Sequence, residues 1–285
     1  MSDIKGSSIL AYGKIVKRNA AHRENEHMSL AVKENVGRSG VERVISNLTA
    51  GVYSFGSLSG AVLHELDKLA RSLGDNCRSL ETGCGRSTIM FSNLARRHLC
   101  FCFDDRNAQL PAGRDDNFGT VSFVQANPHF NKDCVTFVFG PTQKTVPNYD
   151  FRDVSLDFVF LDGPHAFPFA ELEYYFVYPY IRKGGILGID DINIPTLANF
   201  FRFLRDDAMW RLISVVENTA FFERTEAPTF DPIAGIGGHN WQRYNTLHFP
   251  AHPILSRNIY LKYIQPVGRY LPASAKNRLK NILSR

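Results

Sequence analysis

The chain of 285 residues is 44% hydrophobic and 21% charged, enough apolar material for a sizeable core and too much for a disordered tail protein. Its 33 Lys+Arg against 28 Asp+Glu leave a net charge of +5, spread along most of the sequence, which excludes a chain-long nucleic-acid footprint. No apolar run approaches the roughly 18 residues that span a bilayer, and residues 1–20 hold no signal-like apolar segment, so a cytoplasmic protein with no membrane span is expected.

Residues 1–57 are polar, mixed in charge and without a sustained period; they read as an N-terminal lid or arm with short helices. From Ser59 the pattern sharpens. Val62, Leu63, Leu66, Leu69, Ala70 and Leu73 recur at helical spacing until Gly74 stops the run. Strands are then predicted at 77–82, 98–105, 134–140, 156–163 and 184–192, and helices at 87–97, 167–181 and 196–208. Residues 210–224 supply further strands. Continuous apolar strands alternating with helices give an α/β fold: a doubly wound, Rossmann-like, mostly parallel sheet with helices on both faces. This domain is placed at 58–224, and most of the aromatic helix 167–181 is assigned to core packing, through Tyr174, Phe176, Val177 and Tyr180. Residues 225–285 form an irregular C-terminal extension, whose His239 is a weak substrate-contact candidate. It ends in a basic tail with seven Lys/Arg and no acid from Ser256 onward.

The five cysteines, Cys77, Cys84, Cys100, Cys102 and Cys134, are odd in number and lack paired CxxC spacing, which speaks against a disulfide framework or a zinc site. "NPHF" at 127–130 precedes the third strand and reads as a loop. The aspartate pairs 115–116 and 206–207 read as solvated.

The first strand-to-helix turn carries "ETGCGRST", residues 81–88. Ligands of open α/β sheets sit beyond the carboxyl ends of the strands, and this turn is the usual phosphate or nucleotide contact. Gly83 and Gly85 permit close backbone approach, Cys84 lies between them, and Ser87 or Thr88 is placed to cap the next helix. Asp104 and Asp105 end the second strand about 20 residues on, where an acid binds ribose hydroxyls. The register that selects one of the two stays open. A dinucleotide G-x-G-x-x-G pattern would need glycine where Thr88 stands.

These residues resemble the class I S-adenosylmethionine-dependent methyltransferases, whose first motif is E/D-x-G-x-G-x-G; here it reads Glu81, Gly83, Gly85, with Ser87 at the last glycine. The acids ending strands two and four and the "YIRKGGILGIDD" turn extend the resemblance over roughly 77–224. It implies cofactor contacts from Glu81, Gly83, Cys84, Gly85, Ser87, Asp104 or Asp105, and Asp162. "LDGPHAF" and "GIDDIN" place Asp162, Asp190 and Asp191 at adjacent strand ends, a donor set suited to Mg²⁺. This looks like the metal-dependent small-molecule O-methyltransferase branch, similar to catechol O-methyltransferase and the cephalosporin-biosynthesis methyltransferases. That likeness implies Asp162, Asp190 and Asp191 as metal ligands and puts His165 at the offset of the base.

The expected activity is S-adenosylmethionine-dependent O-methylation of a small-molecule or saccharide hydroxyl, with Mg²⁺ as the candidate metal, nucleic acid not an expected partner and a homo-oligomer compatible. The rivals are an NAD(P)-dependent oxidoreductase, an RNA methyltransferase using the basic tail, and a non-catalytic protein of the same fold.

Overall fold

The computed structural model describes residues 38–50, 58–106 and 120–229, all within the unit Val36–Arg285. Helix α1 (Arg38–Thr49) turns Val41, Val44, Ile45 and Leu48 inward, and α2 (Gly60–Ser72) follows it. Ser59 caps α2 by accepting from the Val62 amide, and Gly74, at φ 86°, ends the turn beyond it. The buried residues of α2 are Val62, Leu63, Leu66, Leu69 and Ala70, as its periodicity predicts, while Leu73, the last of the predicted set, is the C-cap and only partly buried.

Strand and helix then alternate: β1 (Arg78–Thr82), α3 (Arg86–Leu94), β2 (Arg97–Cys102), α4 (Thr120–Ala126), β3 (Val135–Phe139), the short α5 (Thr142–Thr145), β4 (Leu156–Leu161), α6 (Phe169–Val177), β5 (Ile181–Ile189) and α7 (Pro195–Asp206). A hairpin closes the described part, β6 (Trp210–Val216) and β7 (Thr219–Arg224), turning tightly at Glu217, which has φ 53°. Among the described residues the sheet has seven strands in the order β3-β2-β1-β4-β5-β7-β6. The first five are parallel, and β7 runs antiparallel to both β5 and β6.

The strand order reverses between β1 and β4, which places the ends of these two strands at the switch point where open sheets bind ligands. Apolar residues fill both faces. Phe158, Phe160 and Phe221 pack with α1, α2 and α3 on one side. Leu80, Phe101, Val159, Leu161, Leu187 and Phe222 pack with α6 and α7 on the other. Burying strands on both faces explains their near-continuous apolar sequences.

Predicted boundaries move where tertiary contacts intervene. The helix expected at 87–97 stops at Leu94, because Arg97 already pairs with Arg78 in the sheet. The helix at 167–181 divides into α6 and a 3₁₀ turn at Tyr178–Tyr180. Tyr174 and Val177 are core, as expected, whereas Phe176 and Tyr180 are only partly buried. Asp207, expected to be solvated, is 5% exposed and accepts from the Met209 amide, so it caps the turn leaving α7. The expectations for residues 1–37, 51–57 and 115–116, for His239 and for the basic tail lie outside the described residues.

Candidate active site

The glycine turn is held by the backbone before any side chain acts. The Gly83 amide donates to the Phe101 carbonyl at 2.9 Å, extending the β1–β2 ladder, and Asp162 donates its amide to Thr82 at 3.1 Å. Gly83 sits at φ 90°, and a Cβ there would stand 2.1 Å from the Asp162 carbonyl oxygen. A Cβ on Gly85 would meet nothing within 4 Å. The turn is therefore closed against β4 on one side and open at Gly85, a cradle with room for a ligand over its tip.

Beneath the turn lies a buried polar chain. Glu81, fully buried, accepts from the Thr88 hydroxyl, which itself accepts from the Gly85 amide at 2.9 Å. His98 bridges Glu81 (3.0 Å) and Ser79 (2.8 Å) through its two ring nitrogens and stacks on Phe91. The second Glu81 oxygen, Oε2, has no hydrogen-bond partner. Ser87 is buried in the first turn of α3, and Thr88 is the residue that reaches back to the turn. On the opposite sheet face Thr82 donates to Glu173 at 2.7 Å, and a Cβ on Gly163 would stand 2.8 Å from that carboxylate. Burial raises the Glu173 pKa. Sequence reading passed over His98 and Glu173. The signal for Glu173 was a carboxylate spaced with Ala170, Tyr174 and Val177 on an otherwise apolar helical stripe.

Asp104 and Asp105 differ in what they hold. Asp105 accepts from the Thr120 amide, the Thr120 hydroxyl and the Val121 amide, so it caps α4. Asp104 is exposed and paired with Arg106 at 2.6 Å, which keeps its carboxyl below the usual range.

Asp162, His165, Asp190 and Asp191 gather just past the ends of β4 and β5. His165 Nδ1 lies 2.8 Å from Asp191, and its Nε2 lies 3.6 Å from Asp162. Asp191 adopts φ 53°, and Asp190 accepts from the Thr219 hydroxyl of β7. Burial pushes the Asp162 carboxyl up to about 7, against the pull of the nearby His165 ring and with the help of the Asp190 charge. The Asp162 carboxylate in turn raises His165 above the ordinary imidazole value. Burial likewise raises Asp190. Three carboxylates are thus concentrated beside one imidazole, a hard oxygen-donor set of the kind divalent cations such as Mg²⁺ take. Among the described residues, three donor atoms come within 4.8 Å of one another at Cys84, Cys100 and Cys102 and at Glu81, His98 and Cys100, but not among these aspartates. Here the imidazole bridges the acids.

A cavity of about 580 Å³ lined by Arg43, Val44, Asn93, His129 and neighbouring residues lies by the loop preceding β3, away from this rim. Its lining includes Pro128, His129 and Phe130 of the "NPHF" segment, which is a loop as expected.

Residues 80–192, from β1 past the end of β5, match the family model described as a methyltransferase domain. This stretch is similar to a methyltransferase domain. It contains both the glycine turn and the aspartate–histidine cluster. Solved structures similar to the chain include the O-methyltransferase TomG from Streptomyces achromogenes in complex with SAM (16% identity, 69% of this chain and 92% of that one, TM-score 0.48). MycE, from the mycinamycin biosynthetic pathway, in complex with Mg and SAH, is similar at 16% identity over 67% of this chain and 57% of that one, TM-score 0.44. CalS11, a TDP-rhamnose 3'-O-methyltransferase of calicheamicin biosynthesis, is similar at 18% identity over 64% and 92%, TM-score 0.43. No curated protein matches the chain. No helix among the described residues is long and apolar enough to cross a membrane.

Proposed function

We propose that the methyltransferase domain uses S-adenosylmethionine to methylate a hydroxyl oxygen of a small-molecule or saccharide acceptor. The observation that carries the reading is His165 set between two strand-end carboxylates at the rim of the glycine turn. When bound, S-adenosylmethionine supplies a sulfonium methyl group that needs only an in-line, deprotonated acceptor.

The chain's residues divide that task. Gly83 and Gly85 present bare backbone to the cofactor, with Cys84 and Ser87 flanking, while Glu81 and Thr88 hold the turn in shape from below. Asp104, whose carboxylate is at the surface, binds the ribose hydroxyls; Asp105 is spent on α4. Asp191 accepts from His165 Nδ1, which fixes the imidazole and leaves Nε2 to take the acceptor's proton. Asp162, Asp190 and Asp191 are the residues that would hold Mg²⁺, whose chemistry is to lower the pKa of an acceptor hydroxyl.

Isothermal titration with S-adenosylhomocysteine, with and without Mg²⁺, tests the reading against an Asp104→Asn variant. Micromolar binding weakened at least tenfold in the variant supports it. Absence of binding in both conditions overturns it.

A further inference from the structure

The sulfurs of Cys84, Cys100 and Cys102 lie within 4.8 Å of one another, although their spacing in sequence forms no metal-binding motif. Cys100 and Cys102 are alternate residues of β2, so they share one face, and Cys84 reaches the same place from the turn after β1. Cys100 and Cys102 are buried beneath Val121 of α4, while Cys84 is partly exposed and gives the cluster an outlet. All three are free thiols.

We propose that Cys84, Cys100 and Cys102 form a binding site for a thiophilic d¹⁰ cation, with Zn²⁺ the physiological class, that ties the glycine turn to β2. Zinc–sulfur bonds of about 2.3 Å put tetrahedral sulfur ligands about 3.8 Å apart, so a group already inside 4.8 Å needs to close by only about 1 Å. Soft thiolates select such ions over Mg²⁺, so this site and the aspartate rim do not compete for the same metal. The surroundings favour a cation. Glu81 is fully buried next to Cys100, and its Oε2 is unpartnered. Cys100 also lies 3.1 Å from the Gly83 carbonyl oxygen, so the cluster is built into the turn.

The test uses the full-length, reduced, metal-free protein titrated with Cd²⁺, followed by the ultraviolet thiolate-to-cadmium absorption band, and then with Zn²⁺ in competition. One ion per chain, a band that Zn²⁺ removes, and a melting temperature raised by either ion are expected. The band should be lost in Cys84→Ala and Cys102→Ser and kept in Cys77→Ala and Cys134→Ala. Because Cys102→Ser can destabilise the core, alkylation of the wild type with iodoacetamide gives an independent reading: bound Zn²⁺ should slow modification of Cys84 at least tenfold. No band, a band that survives Cys84→Ala, or unchanged Cys84 alkylation overturns the proposal. None of these readouts depends on methyl transfer.

Discussion

A Cβ on Gly83 would stand 2.1 Å from the carbonyl oxygen of Asp162, so the turn after β1 rests on the backbone that ends β4. The positive φ of 90° adds a second obstacle to any side chain. Gly83→Ala is expected to destabilise the fold by about 1–3 kcal/mol, read by thermal unfolding. Gly85→Ala meets no atom and should change stability by less than about 0.5 kcal/mol. The sharper probe is Gly85→Leu, which should keep the melting temperature yet abolish S-adenosylhomocysteine binding; undiminished binding would place the cofactor elsewhere.

The two acids after β2 should separate cleanly. Asp105→Asn removes charge from the cap of α4 and should cost about 1 kcal/mol while leaving cofactor affinity within about twofold. Asp104→Asn should do the reverse, weakening cofactor binding about tenfold or more with stability unchanged. Calorimetric titration beside urea unfolding reads both, and an inverted result would transfer the ribose role to Asp105.

Stability should fall as pH rises through neutrality. Burial holds the folded Asp162 carboxyl near 7, well above its unfolded value, so from about pH 4 to 7 the native state keeps a proton the unfolded chain has released. That contribution is complete below the unfolded pKa and lost as pH passes the folded one. His165, raised by Asp162, acts in the same direction: its contribution is present below the unfolded imidazole value and lost above it. Asp162 alone implies a loss on the order of 2 kcal/mol between about pH 5 and pH 8, and His165 acts in the same direction. Urea unfolding across this range checks it, and Asp162→Asn should flatten the slope. A wild-type slope of opposite sign would contradict the burial of Asp162.

Replacing His165 tests the chemistry. His165→Gln should lower kcat about 10²- to 10⁴-fold while S-adenosylhomocysteine binding stays within about twofold, since the ring touches Asp162 and Asp191 and none of the glycine turn. Methyl transfer should also lose its dependence on pH near neutrality. An unaltered pH profile would assign the proton to another group.

Much of this fold was legible because its signals are local. Continuous apolar runs such as "LDFVFL" mark doubly covered strands, Gly74 ends a helix, and "ETGCGRST" and "LDGPHAF" announce turns at strand ends. Boundaries slipped where pairing claimed a residue first, as when Arg97 joined β2 instead of extending α3. Asp207 was misread because its charge suggested solvent, while the fold needed a cap for the Met209 amide.

Sequence alone determined the alternation of strand and helix, the glycine turn and the supply of acids at strand ends, since each follows from side-chain periodicity and turn chemistry within a few residues. Only the tertiary structure decided which of those acids met. Strand order and register set His165 between Asp162 and Asp191, gave Asp105 to α4, linked Glu81 through His98 to Ser79, and brought Cys84 onto Cys100 and Cys102. The reason is physical: a one-residue change of register turns a strand's side chains to the opposite face, and register is fixed by pairing partners distant in the chain.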